Sequence, residues 1–412
     1  MKRRNFLRSM AMMPIIGRSC IAGGSMLANM KNAYAANGKT LIVIFQRGGC
    51  DGLNAAVPHG EDEYYNLRPD IAIAPPSSSP ESALDLDGFF GLHPAMTGLY
   101  DIFQQGDLAV LPTVGYSNAN RSHFSSQDYI ESGVPNQRLA SGWLNRYLSS
   151  TQNSNELRAL SFSSLAHALQ GTNPVVTLSD LSTFSNQANS SQNDTLQNIF
   201  NQQVNNENHA RFLSYKHGNL ALKSIANLEE FSASNYRAEH DAVYPDTLYG
   251  QQLKNIAQLI KSDVGLEVAT VSNDGWDHHA NQGGAQGDQA TKLQDFSNGI
   301  EALYKDLGTA HMSDVTILTI SEFGRTAKQN ASLGTDHGNA STWFVIGGQV
   351  NGGIHGDWPG LMPDQLYLER FLAHTINFTD VYAELLSNHL GIANGLPTIL
   401  PGSQYQPIGF LS

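Results

Sequence analysis

Acidic, imidazole and guanidinium side chains recur in this sequence just after runs of β-forming residues. Asp51 follows the run Leu41 to Phe45 across the turn Arg47-Gly48-Gly49-Cys50, and Arg121-Ser122-His123 follows the run Asp107 to Val114. Asp274, Asp277, His278 and His279 follow Leu266 to Val271; Glu322-Phe323-Gly324-Arg325 follows Val315 to Ile320, with Thr335-Asp336-His337-Gly338-Asn339 a little further on. In open parallel sheets the working residues gather beyond the carboxyl ends of the strands. Oxygen and imidazole donors supplied from four strand ends are how a divalent cation site is assembled.

Each piece also has a plainer reading. Asp51 alone reads as the cap of a helix starting at Leu53. Cys50 reads as a small buried residue, because nothing beside it would lower its thiol pKa. Gly48-Gly49 lacks the Gly-Lys-Ser/Thr of a phosphate loop. Ser122 and His123 are equally suited to a helix cap and its first turn. The run Gly275-Trp276-Asp277-His278-His279 resists such a reading, because adjacent acids and imidazoles are costly neighbours unless a cation organises them. Asp336-His337-Gly338 follows the same logic. The remaining histidines, among them His59, His167, His209, His217, His240, His311 and His374, are assigned no role.

The elements that must position these residues alternate. Leu41 to Phe45 and Asp107 to Val114 read as buried strands with a helix over Pro94 to Gln105 between them, which is β-α-β order. Helices are expected from near His123 through Tyr129 and over Trp143 to Leu148. Further helices are expected over Thr247 to Lys261, Gln286 to Leu307 and Thr379 to Leu390, and further strands over Leu266 to Val271, Val315 to Ile320 and Trp343 to Ile346. Strands separated by helices predict an α/β fold with a mostly parallel sheet covered on both faces. From Ser179 to about Asn208 the composition turns to Asn, Gln and Ser, so residues 179–242 read as an insertion or cap with helical pieces on a single domain spanning 36–412.

The first 35 residues are of another kind. Lys2-Arg3-Arg4-Asn5-Phe6-Leu7-Arg8 precedes a weakly apolar stretch broken by Arg18, and Ala33-Tyr34-Ala35 closes it. Paired arginines before Phe-Leu, mild hydrophobicity and a small-residue end resemble a twin-arginine export signal cleaved before Ala36. This implies a periplasmic or extracellular protein handled by the twin-arginine machinery, with no stable membrane anchor. Only Cys50 then remains of the two cysteines, so no disulfide forms within the mature chain. The chain's 24 basic and 37 acidic residues give a formal charge of −13; the signal holds six of the basic ones and no acid, leaving a formal −19. Such a surface repels phosphate backbones and anionic lipids, which excludes nucleic acid as a partner.

With these motifs in hand, the chain resembles the alkaline phosphatase-like superfamily of phosphatases, sulfatases and cofactor-independent phosphoglycerate mutases. Thr335-Asp336-His337-Gly338-Asn339 is similar to the mutases' metal motif. More closely, the mature chain resembles the exported domain-of-unknown-function family 1501 within that superfamily. The resemblance rests on Arg47 to Asn54, Arg121-Ser122-His123-Phe124, Gly275 to Gln282, Ser321 to Thr326, and Gly356-Asp357-Trp358-Pro359-Gly360-Leu361.

The resemblance implies one or two divalent ions, of zinc, manganese, magnesium or calcium, beside a small-molecule or polymer ester of phosphate or sulfate. By its order, Asp51, Asp336 and His337 hold one ion, and Asp277 with His279 contributes to the other, with Glu322 a further candidate ligand. Ser122 falls at the nucleophile position with His123 beside it, and Arg121 or Arg325 clamps the anion. The chain also departs from the superfamily's pattern. Asp277 and His279 stand two apart, whereas Asp274 and His278 have the longer spacing seen in phosphatases. A last histidine ligand falls on His355 or His389, and the sulfatase Cys-x-Pro-x-Arg sequence is absent. The expectation is an exported metal-dependent hydrolase; the alternative is a non-catalytic binding or assembly protein that keeps the fold and a residual metal site, and a third is metal-dependent isomerase or phosphotransfer chemistry.

Overall fold

The computed structural model describes residues 38–411, apart from Gln152, Ser154 and all but a few of residues 182–235. The export signal expected over residues 1–35 and most of the insertion expected over 179–242 lie outside the described residues. Residues 38–180 and 236–411 belong to one compact unit. None of its helices is long and apolar enough to cross a membrane.

The strands are β1 (Thr40–Arg47), β2 (Ala56–Val57), β3 (Leu84–Asp85), β4 (Gly91–Leu92), β5 (Leu108–Gly115), β6 (Ala159–Phe162), β7 (Val176–Leu178), β8 (Val268–Asp274), β9 (Val315–Ile320), β10 (Ser341–Ile346), β11 (Gly353–Ile354) and β12 (Ile376–Asn377). The helices are α1 (Gly52–Ala55), α2 (Asp62–Leu67), α3 (Thr97–Gln104), α4 (His123–Ser132), α5 (Trp143–Ser150), α6 (Leu248–Lys261), α7 (Asp288–Met312), α8 (Phe378–Glu384) and α9 (Leu396–Ile399).

The main sheet has the order β11-β5-β10-β9-β1-β8-β6-β7, with β12 also on β5; β2, β4 and β3 form a small separate sheet. β1 lies at the centre of the main sheet, parallel to β8 on one side and to β9 on the other. β10 alone runs against its neighbours β5 and β9. The sheet is therefore mostly parallel, and its one reversed strand matters for the site. β5, β1, β8 and β9 deliver their carboxyl ends to one edge, while β10 begins at that same edge, so the residues just before β10 join the residues just after the others.

Both faces are covered, which is why the strands read as unbroken apolar runs. Leu41, Val43 and Phe45 share a core with Trp143 and Tyr147 of α5 and with Tyr382 of α8. Trp143 and Tyr382 stack with ring centroids 4.1 Å apart. The alternate residues Ile42 and Ile44 are equally buried on the opposite face. There α6 packs on β8 and α7 on β9, with Leu253, Ile256, Leu293 and Phe296 buried.

The long helix runs to Met312 rather than Leu307, with a break at Gly308, where φ is +58°. The closing helix ends at Glu384 and passes into a wider turn over Leu385–His389. The strands β6 and β7 and the small sheet have no counterpart in the sequence reading.

Candidate metal centre

The turn after β1 brings the backbone very close to the loop after β8. Gly48 adopts φ +121°, and a Cβ there would meet the amide nitrogen of Asp277 at 2.7 Å. Only glycine suits both that dihedral and that approach. The β8 loop is pinned by Trp276, whose buried indole donates to the backbone oxygen of Asn273 at 2.9 Å and packs edge-on against Phe296. With Trp276 turned into the core, Asp277 projects to the sheet edge and remains 42% exposed.

Four side chains converge there. His123, at the start of α4, places Nε2 3.3 Å from Asp277 Oδ2. His279 Nε2 lies 3.0 Å from Asp277 Oδ1, and His337 Nε2 lies 3.2 Å from the same oxygen. His279 Nε2 and His337 Nε2 are themselves 3.0 Å apart. The ligand atoms of His123, Asp277 and His337 all fall within 4.8 Å of one another. The aromatic ring of Phe323 walls one side, 5.0 Å from the His123 ring and 4.8 Å from that of His337.

The far nitrogen of each ring faces an oxygen. His123 Nδ1 faces Glu322 Oε1 at 2.8 Å, His337 Nδ1 faces the backbone oxygen of Arg121 at 2.8 Å, and His279 Nδ1 faces Asp336 Oδ1 at 3.3 Å. All three partners are acceptors and so suit a proton on Nδ1, the tautomer that leaves Nε2 free to ligate; Asp277 is an acceptor on the Nε2 side as well, so it is a cation there that selects this tautomer. Three Nε2 atoms and a carboxylate are gathered together, with His123, Asp277 and His337 the tight set and His279 beside Asp277 and His337. His123 Nε2 is buried and makes no hydrogen bond, although Asp277 Oδ2 lies 3.3 Å away. Either a proton on Nε2 or a metal cation among the four satisfies such an arrangement, and a divalent ion fits the set. Three imidazoles and one carboxylate favour zinc or manganese over calcium and magnesium, which prefer oxygen ligands throughout.

The charges around the site are arranged to match. Burial works to raise the Asp277 carboxyl, but the Arg325 guanidinium and the neighbouring histidines outweigh it and hold it down to about 2. Hydrogen bonding to Glu322 raises His123, while burial lowers His337, with His123 and Arg325 adding to the effect. Burial also works to raise Glu322, but donation from His123 and Gln127 keeps it below its usual value.

Several residues that the sequence singled out stand elsewhere. Asp51 is not in the cluster: its carboxylate is buried in a two-pronged pair with Arg68, at 2.6 and 3.0 Å. It occupies the N-cap of α1 but caps nothing. Glu322, expected as a ligand, is wholly buried and accepts from the Gly48 amide, His123 and Gln127 through one oxygen. Its bond to Nδ1 orients the His123 ring, the position a second partner of a metal-binding imidazole takes. Asp336 points away from its neighbour His337, accepts from His279 and Asn330 through Oδ1 and pairs with Arg370 through Oδ2 at 3.2 Å.

Arg325, expected as an anion clamp, is sealed. Its guanidinium donates to the backbone oxygens of Gly48, Gly49, Trp276 and Thr335 and to Asp277 Oδ1 at 2.7 Å. It ties three loops together and presents no open fork. Arg121 is exposed, its guanidinium 4.7 Å over the Phe371 ring, so of the two arginines it is the one that faces solvent. Ser122 stands at the N-cap of α4, its hydroxyl not used for capping.

Of the two acid and histidine pairings after β8, Asp277 with His279 enters the cluster. The His278 Nδ1 is buried without a partner and burial lowers its pKa. Neither candidate for the last histidine joins. His355 Nε2 lies 2.8 Å from the Asn351 oxygen, and His389 is buried between Thr316 and the Thr40 oxygen, at the opposite end of β1. The third imidazole is His123. Arg68, Gln127, Gln282 and Arg370 were not foreseen. Gln282 lies inside a motif quoted for the resemblance, whereas Arg68 sits among Asn66, Leu67 and Pro69 with nothing local to mark it.

No curated protein matches the chain. Among solved structures, it is similar to the PsFucS1 sulfatase from Pseudoalteromonas sp., with 12% identity and a TM-score of 0.42 over 90% of this chain and 72% of that one. It is similar to the lipoteichoic acid synthase LtaP from Listeria monocytogenes, with 11% identity and a TM-score of 0.34 over 92% and 76%. It is also similar to the alkaline phosphatase from the Antarctic bacterium TAB5, with 9% identity and a TM-score of 0.31 over 90% and 100%. Residues 38–398 match the model of the family described as "Protein of unknown function (DUF1501)", and the chain belongs to that family.

Proposed function

We propose that this chain is an exported metal-dependent hydrolase of phosphate or sulfate esters, with one metal centre formed by His123, Asp277, His279 and His337. The observation that carries the reading is the convergence of three imidazole Nε2 atoms on the Asp277 carboxylate, each ring with an acceptor behind it that suits the ligating tautomer. Motif order supports the ester class, and the absence of a Cys-x-Pro-x-Arg sequence argues for a serine rather than a formylglycine nucleophile.

A bound zinc or manganese ion would supply Lewis-acid stabilisation of an ester oxygen. The protein supplies the rest. Ser122 precedes His123 by one residue, so its hydroxyl stands at the N-terminus of α4, where unpaired amides and the helix dipole favour anionic oxygen. Arg121 offers its exposed guanidinium to the anionic group of the ester. Phe323 keeps water from one flank of the imidazoles. Glu322 holds His123 against rotation. Residues 1–35 are the export signal in this reading, and residues 179–242 an insertion on the single domain 36–412.

The test is a panel of aryl phosphate, phosphonate and sulfate esters, assayed before and after chelation and with Ser122→Ala. Turnover that is lost on chelation, restored by zinc or manganese and absent in Ser122→Ala supports the proposal. A specific observation favours the binding-protein alternative: Asp51 and Arg325, both implied in ester chemistry by the resemblance, are sealed by protein partners. No turnover of any ester by metal-loaded protein would decide for that alternative.

A further inference from the structure

Resting on the metal-centre reading above, we infer that the centre holds a single ion. The buried guanidinium of Arg68 fills the place beside Asp51 that a second cation would need, and Asp51 is a positioning residue for the loops that carry the ligands.

The Arg68 side chain is wholly buried and every donor on it is used. Nη1 donates to Asp51 Oδ2 at 2.6 Å and to Asn54 Oδ1 at 2.7 Å; Nη2 donates to Asp51 Oδ1 at 3.0 Å and to the Thr326 oxygen at 2.9 Å; Nε donates to the Ala327 oxygen at 2.9 Å. Asp51 Oδ2 also accepts from Gln282 Nε2 at 2.6 Å. The pair is electrically complete. A metal ion could reach the carboxylate only by expelling the guanidinium, which would leave an unpaired charge in the interior.

Gln282 turns this neutral pair into a brace. Its amide nitrogen holds Asp51 while its oxygen accepts from Thr335 Oγ1 at 2.7 Å. Gln282 lies three residues after His279, and Thr335 lies two before His337. Arg325, bonded to the Thr335 oxygen, closes the frame onto Asp277. Asp51 therefore acts on the ion through Gln282 and the two ligand-bearing loops, without touching it. The Gln289 side chain fixes the backbone of Asp51 from α7 at 3.0 Å.

Cobalt(II) titration of the metal-free full-length chain tests this, because the visible bands report ligand geometry and the end point reports stoichiometry. One equivalent is expected for the wild type. Asp51→Asn should still take one equivalent with the same band shape but bind it about 10- to 100-fold more weakly, the usual cost of disturbing a ligand's support. His337→Ala should change the bands themselves. Gln282→Leu leaves the Asp51–Arg68 pair intact, so it keeps the test sharp if Asp51→Asn does not fold; it should match the weakened binding with bands unchanged. Two equivalents in the wild type would overturn the single-ion inference while leaving the metal centre standing. Wild-type affinity in Gln282→Leu would overturn the positioning role. No cobalt bound by any form would instead remove the metal-centre reading itself.

Discussion

His123 and Glu322 are joined Nδ1 to Oε1 at 2.8 Å, and this bond gives the site its polarity. Glu322 is buried at the end of β9, 199 positions along the chain from His123, and also accepts from the Gly48 amide after β1. One carboxylate thus holds both the His123 ring on α4 and the turn after the central strand. The oxygen that faces His123 is fully engaged, so Glu322 contributes charge and orientation.

Glu322→Gln should therefore preserve the fold and the number of ions bound while weakening metal binding about 10- to 100-fold. The amide keeps the shape but loses the charge that favours the Nδ1 proton. Isothermal titration with zinc checks this; unchanged affinity would mean that His123 does not need its partner.

Ser122→Ala should leave metal content at the wild-type level and lower ester turnover by about a thousandfold or more, as loss of a nucleophile does. Elemental analysis alongside the ester assay separates the two effects. Turnover undiminished in this variant would take Ser122 out of the mechanism.

Arg325→Lys should destabilise the protein by about 3 kcal/mol, because an ammonium cannot reach the four backbone oxygens and the Asp277 carboxylate that the guanidinium fork serves together. Denaturant unfolding of the metal-free protein measures it. A loss below about 0.5 kcal/mol, the range of an ordinary surface change, would contradict the bracing role.

His389 predicts a pH dependence remote from the site. Burial depresses its pKa from 6.5 to about 4. The unfolded imidazole binds a proton below about 6.5 and the folded one only near 4, so acid favours the unfolded chain. The contribution of neutral His389 is whole above about pH 6.5, declines as pH falls to 4 and amounts to about 3 kcal/mol across that window. His389→Gln should show a shallower loss of stability between pH 6.5 and 4 than the wild type. Parallel curves would show that the ring is already protonated in the folded state.

Much of the frame was legible because buried parallel strands announce themselves. Leu41 to Phe45 and Val315 to Ile320 are continuous apolar runs and became β1 and β9. The direction of β10 was not legible, since Trp-Phe-Val-Ile is equally apolar read either way; yet its reversal is what delivers His337 to the edge where the other strands end. β6 and β7 were missed because four and three residues are too few to show a period.

In the site, the runs Asp277-His278-His279 and Asp336-His337 stood out by their crowding, which does not say which member of each run faces the cluster. The roles of Asp51, Glu322 and Asp336 were not legible, because a carboxylate that binds a metal and one that orients a histidine are the same residue type beside the same motif. What separates them is where the side chain points. For Asp51 that was decided by Arg68, 17 positions away on a stretch with no motif.

The central claim is that His123, Asp277, His279 and His337 surround a metal ion, and anomalous diffraction at the zinc edge from crystals of the zinc-loaded protein tests it most directly. The account predicts one strong peak per chain, among the three Nε2 atoms and the Asp277 carboxylate. A chain with no peak there, or with its peak at Asp51, would contradict it.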